Sequence, residues 1–356
     1  MSPSTVEMVA NLIIYIFIFA AGAVIGSFLN VCILRLPRGE SLVKQNSHCM
    51  TCGAYIKHYD LIPIFSWLIL RGKCRNCGAK ISPRYMLIET LTAVLFTCVF
   101  IKYDTAAYGF LFPMFACLFL AAVIVVCFED LDTKSMSISV LLWMGAFAIG
   151  ETLTALFARQ SGYIESVTRI SLTDRIIGMF AVSVPLLLIG FVITPLIYVY
   201  VISDDHKERR KLLKRLSSNL APYDENRVKS ALAKVDERIK EQGPVYGFGM
   251  GDVVLMAAAG LMLGVKAVVT AAFIGIVLGG IYGIIIKSKG EKAEETAEPI
   301  ESAPIASELS DSAPALPTSS SPASDRFAFG PFLGIGIVTA VYVGNAVWDW
   351  YFSLLG

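Results

Sequence analysis

Apolar runs long enough to cross a membrane recur along this chain, separated by polar stretches. About 20 apolar residues in a helix cross the roughly 30 Å of hydrocarbon in a bilayer. By that measure the sequence predicts eight spans, near 8–31, 86–103, 108–128, 136–157, 175–201, 247–264, 266–286 and 330–355. The sixth is short and rich in glycine. No Lys or Arg precedes the first, and its apolar core is too long for the h-region of a secretory signal, so it is expected to stay in the membrane. The fold class expected is an all-α polytopic membrane protein.

Composition agrees with the pattern. Hydrophobic residues make up 55% of the 356 and charged ones only 17%, where soluble domains carry about 25%. Mean hydropathy is +0.65. Loop charge then sets the expected orientation, because cytoplasmic loops retain Lys and Arg. The segment 35–84 holds nine Lys or Arg against two acids, Glu40 and Asp60, and 202–246 holds eleven Lys or Arg. Both loops are expected in the cytoplasm, which leaves the N- and C-termini outside. The net charge of +1 carries no information about partners.

Two polar segments interrupt the spans. Residues 203–245 mix both charge signs with leucines at helical spacing and predict one or two amphipathic helices, in the cytosol or on the anionic leaflet. Residues 288–326 are rich in Glu, Ala, Ser and Pro, bury too little apolar surface to offset ordering entropy, and are expected to form a disordered linker. The chain divides accordingly into a first span (1–34), a cytoplasmic loop (35–85), spans two to five (86–202), a helical insertion (203–246), spans six and seven (247–287), the linker (288–328) and a last span (329–356).

The first cytoplasmic loop carries the most specific local signal. "CMTCG" supplies Cys49 and Cys52, and "CRNCG" supplies Cys74 and Cys77. Four thiolates from two C-x-x-C turns complete a tetrahedral zinc shell with no open position, which is a structural site and not a catalytic one. A disulfide pair fits poorly in a compartment that keeps thiols reduced. His48 and His58 lie nearby, but four sulfurs already saturate the ion. Cys32, Cys98, Cys117 and Cys127 fall in or at spans and read as packing residues.

Acids at span ends are the second signal. "VVCFEDLDTKS" places Glu129, Asp130 and Asp132 at the cytoplasmic end of the third span, and "GFGMGDVVLM" places Asp252 at the cytoplasmic start of the sixth. Ionisable groups at membrane depth are costly and by default suggest function. Two carboxylates in a poorly hydrated site cannot both ionise, so one keeps a proton while the other activates water. The glycines at 247, 249 and 251 would let a backbone approach the carboxylate closely. A single acid at a span end can equally be an interfacial residue or a helix cap. Nothing in the spacing brings Asp130 to Asp252.

In order along the chain, "GSFLNVCILRLPRGES", the cysteine loop "CMTCGAYIKHYDLIPIFSWLILRGKCRNCGAKISPRYMLIE", "FEDLDTKSMS", "YGFGMGDVVLMAAAGLMLG" and "FAFGPFLGIG" resemble the type IV prepilin peptidases, polytopic aspartic proteases of the glycine-x-glycine-aspartate class. The resemblance implies that Asp130 and Asp252 are the catalytic dyad and that Cys49, Cys52, Cys74 and Cys77 bind zinc. It implies that the substrates are prepilins or pseudopilins, cut after a glycine at the cytoplasmic face of a bacterial inner membrane. Many members also methylate the new N-terminus from S-adenosylmethionine. The implied partners are these substrates and the lipid bilayer, with no nucleic acid. The chain departs from the family's pattern in four places. Met136-Ser137-Ile138 stands where Ile-Pro-Asp is usual, Val254 where lysine is, Glu129 where an apolar residue is common, and Ala328 where proline is. A zinc-containing membrane scaffold or cation-coupled transporter is the alternative. Inverted-repeat symmetry would favour it, and none is legible.

Overall fold

The structure is a computed structural model that describes residues 3–44, 47–103, 109–160, 170–216, 222–242, 248–295 and 328–355. Its described residues are almost wholly helical, apart from two isolated β-bridges in the cysteine loop. The chain forms two compact units. One comprises residues 1–192, 247–275 and 328–356, and the other 193–246 and 276–327.

The first unit is organised around one helix. Helix α1 (Pro3–Arg35) leads into the cysteine loop, which contains the short α2 (Phe65–Ile69), and then into α3 (Arg84–Lys102). Helices α4 (Leu111–Thr133) and α5 (Ile138–Gln160) form a hairpin, followed by α6 (Leu172–Leu188). Helix α4 is apolar on all sides, as expected of a segment enclosed by other helices. Phe119, Leu120, Val123 and Val126 are fully or almost fully buried. It packs against α1, α3, α5 and the last helix, α10 (Gly330–Leu355). The outward faces of α1 and α5 expose large apolar side chains such as Phe17 and Trp143, as lipid contact requires.

In the second unit, α7 (Asp204–Leu216) and α8 (Pro222–Gln242) run antiparallel. Leu212 and Val235 are buried, and Arg209 pairs with Asp236 while Arg238 pairs with Asp205 and Glu208. Two amphipathic helices thus occupy the described part of the insertion.

Among the described residues, six helices are long and apolar enough to span a membrane. The sixth and seventh expected spans are joined in α9 (Met250–Glu295), whose backbone leaves helical geometry at Gly264 (φ 75, ψ 178), at the boundary placed between them. Helix α10, 26 residues from Gly330 to Leu355, coincides with the last expected span. The stretch 288–295, read as the start of the linker, continues α9, consistent with the high helix propensity of Glu, Lys and Ala in "EKAEE". Residues 296–327 of that linker lie outside the described residues.

Candidate functional site: a paired carboxylate and a four-sulfur loop

The three acids of "FEDLD" point in three directions. Glu129 is fully buried, and its carboxylate accepts from the backbone N–H (2.9 Å) and hydroxyl (3.0 Å) of Ser137. That contact closes the turn between α4 and α5, and Lys134 ends α4 in the left-handed conformation (φ 54) with its N–H bonded to Asp130 O. Asp132 makes a two-pronged pair with Arg84 at the start of α3, both bonds 2.7 Å. Asp130 faces inward, 6% exposed, and its Oδ2 accepts the N–H of Gly330 at 2.9 Å.

Asp252 sits in the first turn of α9, also 6% exposed. Its Oδ2 accepts the Gly249 N–H at 3.2 Å, while Oδ1 is buried with no hydrogen-bond partner among the described residues. Met136 lies between the neighbours of the two acids, against Gly251 next to Asp252 and against Gly330, which donates to Asp130. The structure therefore brings together the two acids singled out from sequence and turns Asp132 and Glu129 away from the pair.

Close backbone approach makes this possible. A Cβ at Gly330 would stand 2.5 Å from Met136 Cε and 3.0 Å from Asp130 Oδ2, and a Cβ at Gly251 would stand 2.7 Å from Met136 Sδ. Met136 thus lies against both glycines beside the carboxylates. Phe248 and Phe329 meet edge to face at 5.2 Å just ahead of α9 and α10. Gly247 lies outside the described residues, so of the three glycines before Asp252 only 249 and 251 can be placed.

Sequence reasoning missed Gly330 as the partner of Asp130, the Glu129–Ser137 contact, and a buried pair between Glu151 and Arg175. Arg175 is 3% and Glu151 2% exposed. The Arg175 guanidinium also donates to the carbonyls of Leu261 (3.4 Å) and Met262 (3.0 Å), just before the break at Gly264. The signal was available, since one acid and one base in two different spans imply a pair.

The cysteine loop builds two copies of one turn. Gly53 N–H bonds to Cys49 O (2.8 Å) and Cys49 N–H to Ala54 O (2.9 Å). Likewise Gly78 N–H bonds to Cys74 O (2.9 Å) and Cys74 N–H to Ala79 O (2.8 Å). Gly53 and Gly78 have φ of 69° and 71°, which a side chain would strain. All eight cysteines are free thiols. The sulfurs of Cys49, Cys52, Cys74 and Cys77 lie within 4.8 Å of one another, with Cys49 and Cys77 at 3.9 Å. Tetrahedral bonds of about 2.3 Å place sulfurs about 3.8 Å apart, so this cluster fits a metal ion. Hydrogen bonds from the Cys52 and Thr51 backbone pull the Cys49 thiol down to about 6. Against a backbone hydrogen bond from Ala79 that lowers it, desolvation and then the other three sulfurs push the Cys77 thiol up to about 11.

These features describe a multi-pass membrane protein with a paired-aspartate site and a metal-binding loop between its first two long helices. Residues 20–103 match the bacterial peptidase A24 N-terminal domain, and residues 117–284 match the type IV leader peptidase family. The chain belongs to that family. It is 41% identical over 118 residues to a prepilin leader peptidase/N-methyltransferase of Myxococcus xanthus, a match covering 33% of this chain and 34% of that protein. It is 28% identical to a type 4 prepilin-like proteins leader peptide-processing enzyme of Escherichia coli, over 75% of this chain and 83% of that protein. Identity to a prepilin leader peptidase/N-methyltransferase of Bacillus subtilis is 26%, over 79% and 87% respectively. No solved structure matches.

Proposed function

We propose that this protein is a membrane aspartic endopeptidase that removes the leader peptide from type IV prepilins or pseudopilins, cutting after glycine at the cytoplasmic face of a bacterial inner membrane. One observation carries the reading: Asp130 and Asp252, from helices far apart in sequence, are buried carboxylates beside one side chain, Met136, which lies against Gly251 next to Asp252 and against Gly330, the donor to Asp130. Of two such groups one holds a proton and the other is charged. The charged carboxylate takes a proton from water as the water oxygen attacks the scissile carbonyl carbon. The protonated carboxyl gives its proton to the carbonyl oxygen. The adduct then collapses as the first carboxyl passes the proton it took from water to the amide nitrogen, the C–N bond breaks, and the second carboxylate takes back a proton from the diol hydroxyl. The orphaned Oδ1 of Asp252 suits a group that must engage water or substrate. The orientation follows from the Lys and Arg of the cysteine loop.

Zinc is the metal best suited to the four-sulfur loop, given the sulfur spacing and the all-thiolate donor set. With four protein ligands it leaves no position for substrate water, so its part is to fold the loop. Relatives are named for a second activity, N-methyltransferase, and we extend it to this chain with S-adenosylmethionine as donor. The hollow beside the loop, lined by Trp67, Arg71, Lys73 and Lys80 among others, does not fit that molecule, because its cations repel a sulfonium. No methyl-transfer step is assigned to a residue.

The deciding experiment is cleavage of a membrane-anchored prepilin by the purified chain and by Asp252→Asn. Product from the first and none from the second is expected. Cleavage by Asp252→Asn at the parent rate would overturn the aspartic mechanism.

A further inference from the structure

The cysteine loop is held below the ends of the helices that flank it. Glu89 is 8% exposed on α3 and accepts the Ile64 backbone N–H at 2.7 Å and a hydrogen bond from the Ser27 side chain on α1. Glu89 lies five residues inside α3, and Ser27 eight residues back from the end of α1. At 1.5 Å per residue these are depths of about 7.5 and 12 Å. Ile64, and the α2 helix that starts at the next residue, are therefore anchored at the level of the spans and not above them.

Helix α2 has the side chains for that depth. Its i, i+3, i+4 face is Phe65, Leu68 and Ile69, exposed by 61%, 52% and 74%, while Ser66 on the other face is buried and donates to Tyr59 O. Large apolar groups in such a cluster mark an interaction surface. On the flanking helices α1 and α3, Val24, Phe28 and Leu87 are also exposed. After α2 the chain turns through Arg71 and Gly72, both at positive φ, and presents Arg71, Lys73 and Lys80 around Trp67. Among the described residues none of these three cations has an ion-pair partner, and the nearby acid Asp60 is taken by Arg75. An apolar helix face bordered by a Trp and by cations is the signature of an interfacial segment on an anionic leaflet.

We propose that α2 is a membrane anchor. Phe65, Leu68 and Ile69 rest in the acyl layer of the leaflet at which the cysteine loop emerges, and Arg71, Lys73 and Lys80 contact anionic lipid headgroups. The metal turns are thereby held against the bilayer on the same side as Asp132, through Arg84. The inference is independent of the proposed peptidase activity.

The test uses the full metal-loaded chain in nanodiscs of phosphatidylcholine, with and without phosphatidylglycerol, and a photoactivated carbene dissolved in the lipid. Labelling of Phe65, Leu68 and Ile69 is expected at about tenfold that of Met50 and Tyr55, knuckle residues exposed by 76% and 74%. Labelling should rise with phosphatidylglycerol, and that rise should vanish in Arg71→Gln/Lys73→Gln/Lys80→Gln with metal content unchanged. Labelling of α2 no greater than that of Met50 would overturn the anchor. Protection of α2 from water-borne radicals only on adding prepilin would also overturn it and assign the face to substrate. No response to phosphatidylglycerol would remove the headgroup contacts.

Discussion

The backbone N–H of Gly330 donates to Asp130 Oδ2 at 2.9 Å, so the first residue of the last helix holds the acid at the end of α4. A side chain would crowd this approach. A Cβ there would meet the flexible end of Met136, which can yield, and Asp130 Oδ2 at 3.0 Å, which would have to shift by a few tenths of an ångström and lengthen the bond. We expect Gly330→Ala to reduce prepilin cleavage by about 10- to 100-fold through misplacement of the carboxylate, with little change in thermal stability. Adding Met136→Ala should recover part of the loss. Steady-state cleavage rates of the single and double variants check this.

The divergent directions of the acids make a sharp contrast. Asp130→Asn and Asp252→Asn should each abolish cleavage, and the double variant should be no worse, because a dyad acts as a unit. Asp132→Asn breaks only its pair with the half-exposed Arg84 and should keep measurable activity. Dead Asp132→Asn beside active Asp130→Asn would reverse the assignment.

Metal binding should be strongly pH-dependent. The sign follows from the ligands, since every cysteine must be deprotonated to bind and binding releases protons. Cys49 is already thiolate above about 6, whereas Cys77 at about 11 must be deprotonated by the metal itself. Affinity should therefore fall as pH is lowered from about 8 to 5, as measured by chelator competition. One zinc per chain is expected, lost in Cys49→Ser/Cys52→Ser and in Cys74→Ser/Cys77→Ser, with the loop then open to proteolysis. A chelator should inactivate slowly, through loop unfolding, and not at once.

The Glu151–Arg175 pair should matter to stability and not to chemistry. Removing one partner leaves an uncompensated buried charge, which costs about 3–5 kcal/mol. Glu151→Gln and Arg175→Met should each lower the unfolding temperature in detergent markedly. The double variant Glu151→Leu/Arg175→Met should recover only part, because the Leu261 and Met262 carbonyls lose their donor.

What the sequence determined by itself is what depends on near neighbours. Apolar length set the helices, Gly53 and Gly78 set the two cysteine turns, and Glu, Lys and Ala carried α9 to Glu295 against the expectation of a linker. The metal cluster was legible because each C-x-x-C turn is self-contained and only the joining of two turns is tertiary. Which acid meets Asp252 was decided by the tertiary structure. Residues advance about 100° per step around a helix, so Glu129, Asp130 and Asp132 face different neighbours, and only the placement of α3, α5, α9 and α10 around α4 gives each its partner. Gly330 and Asp130 are brought together by packing between helices separated by most of the chain. No local pattern encodes such a contact, because it exists only once the apolar faces of α4 and α10 have found each other.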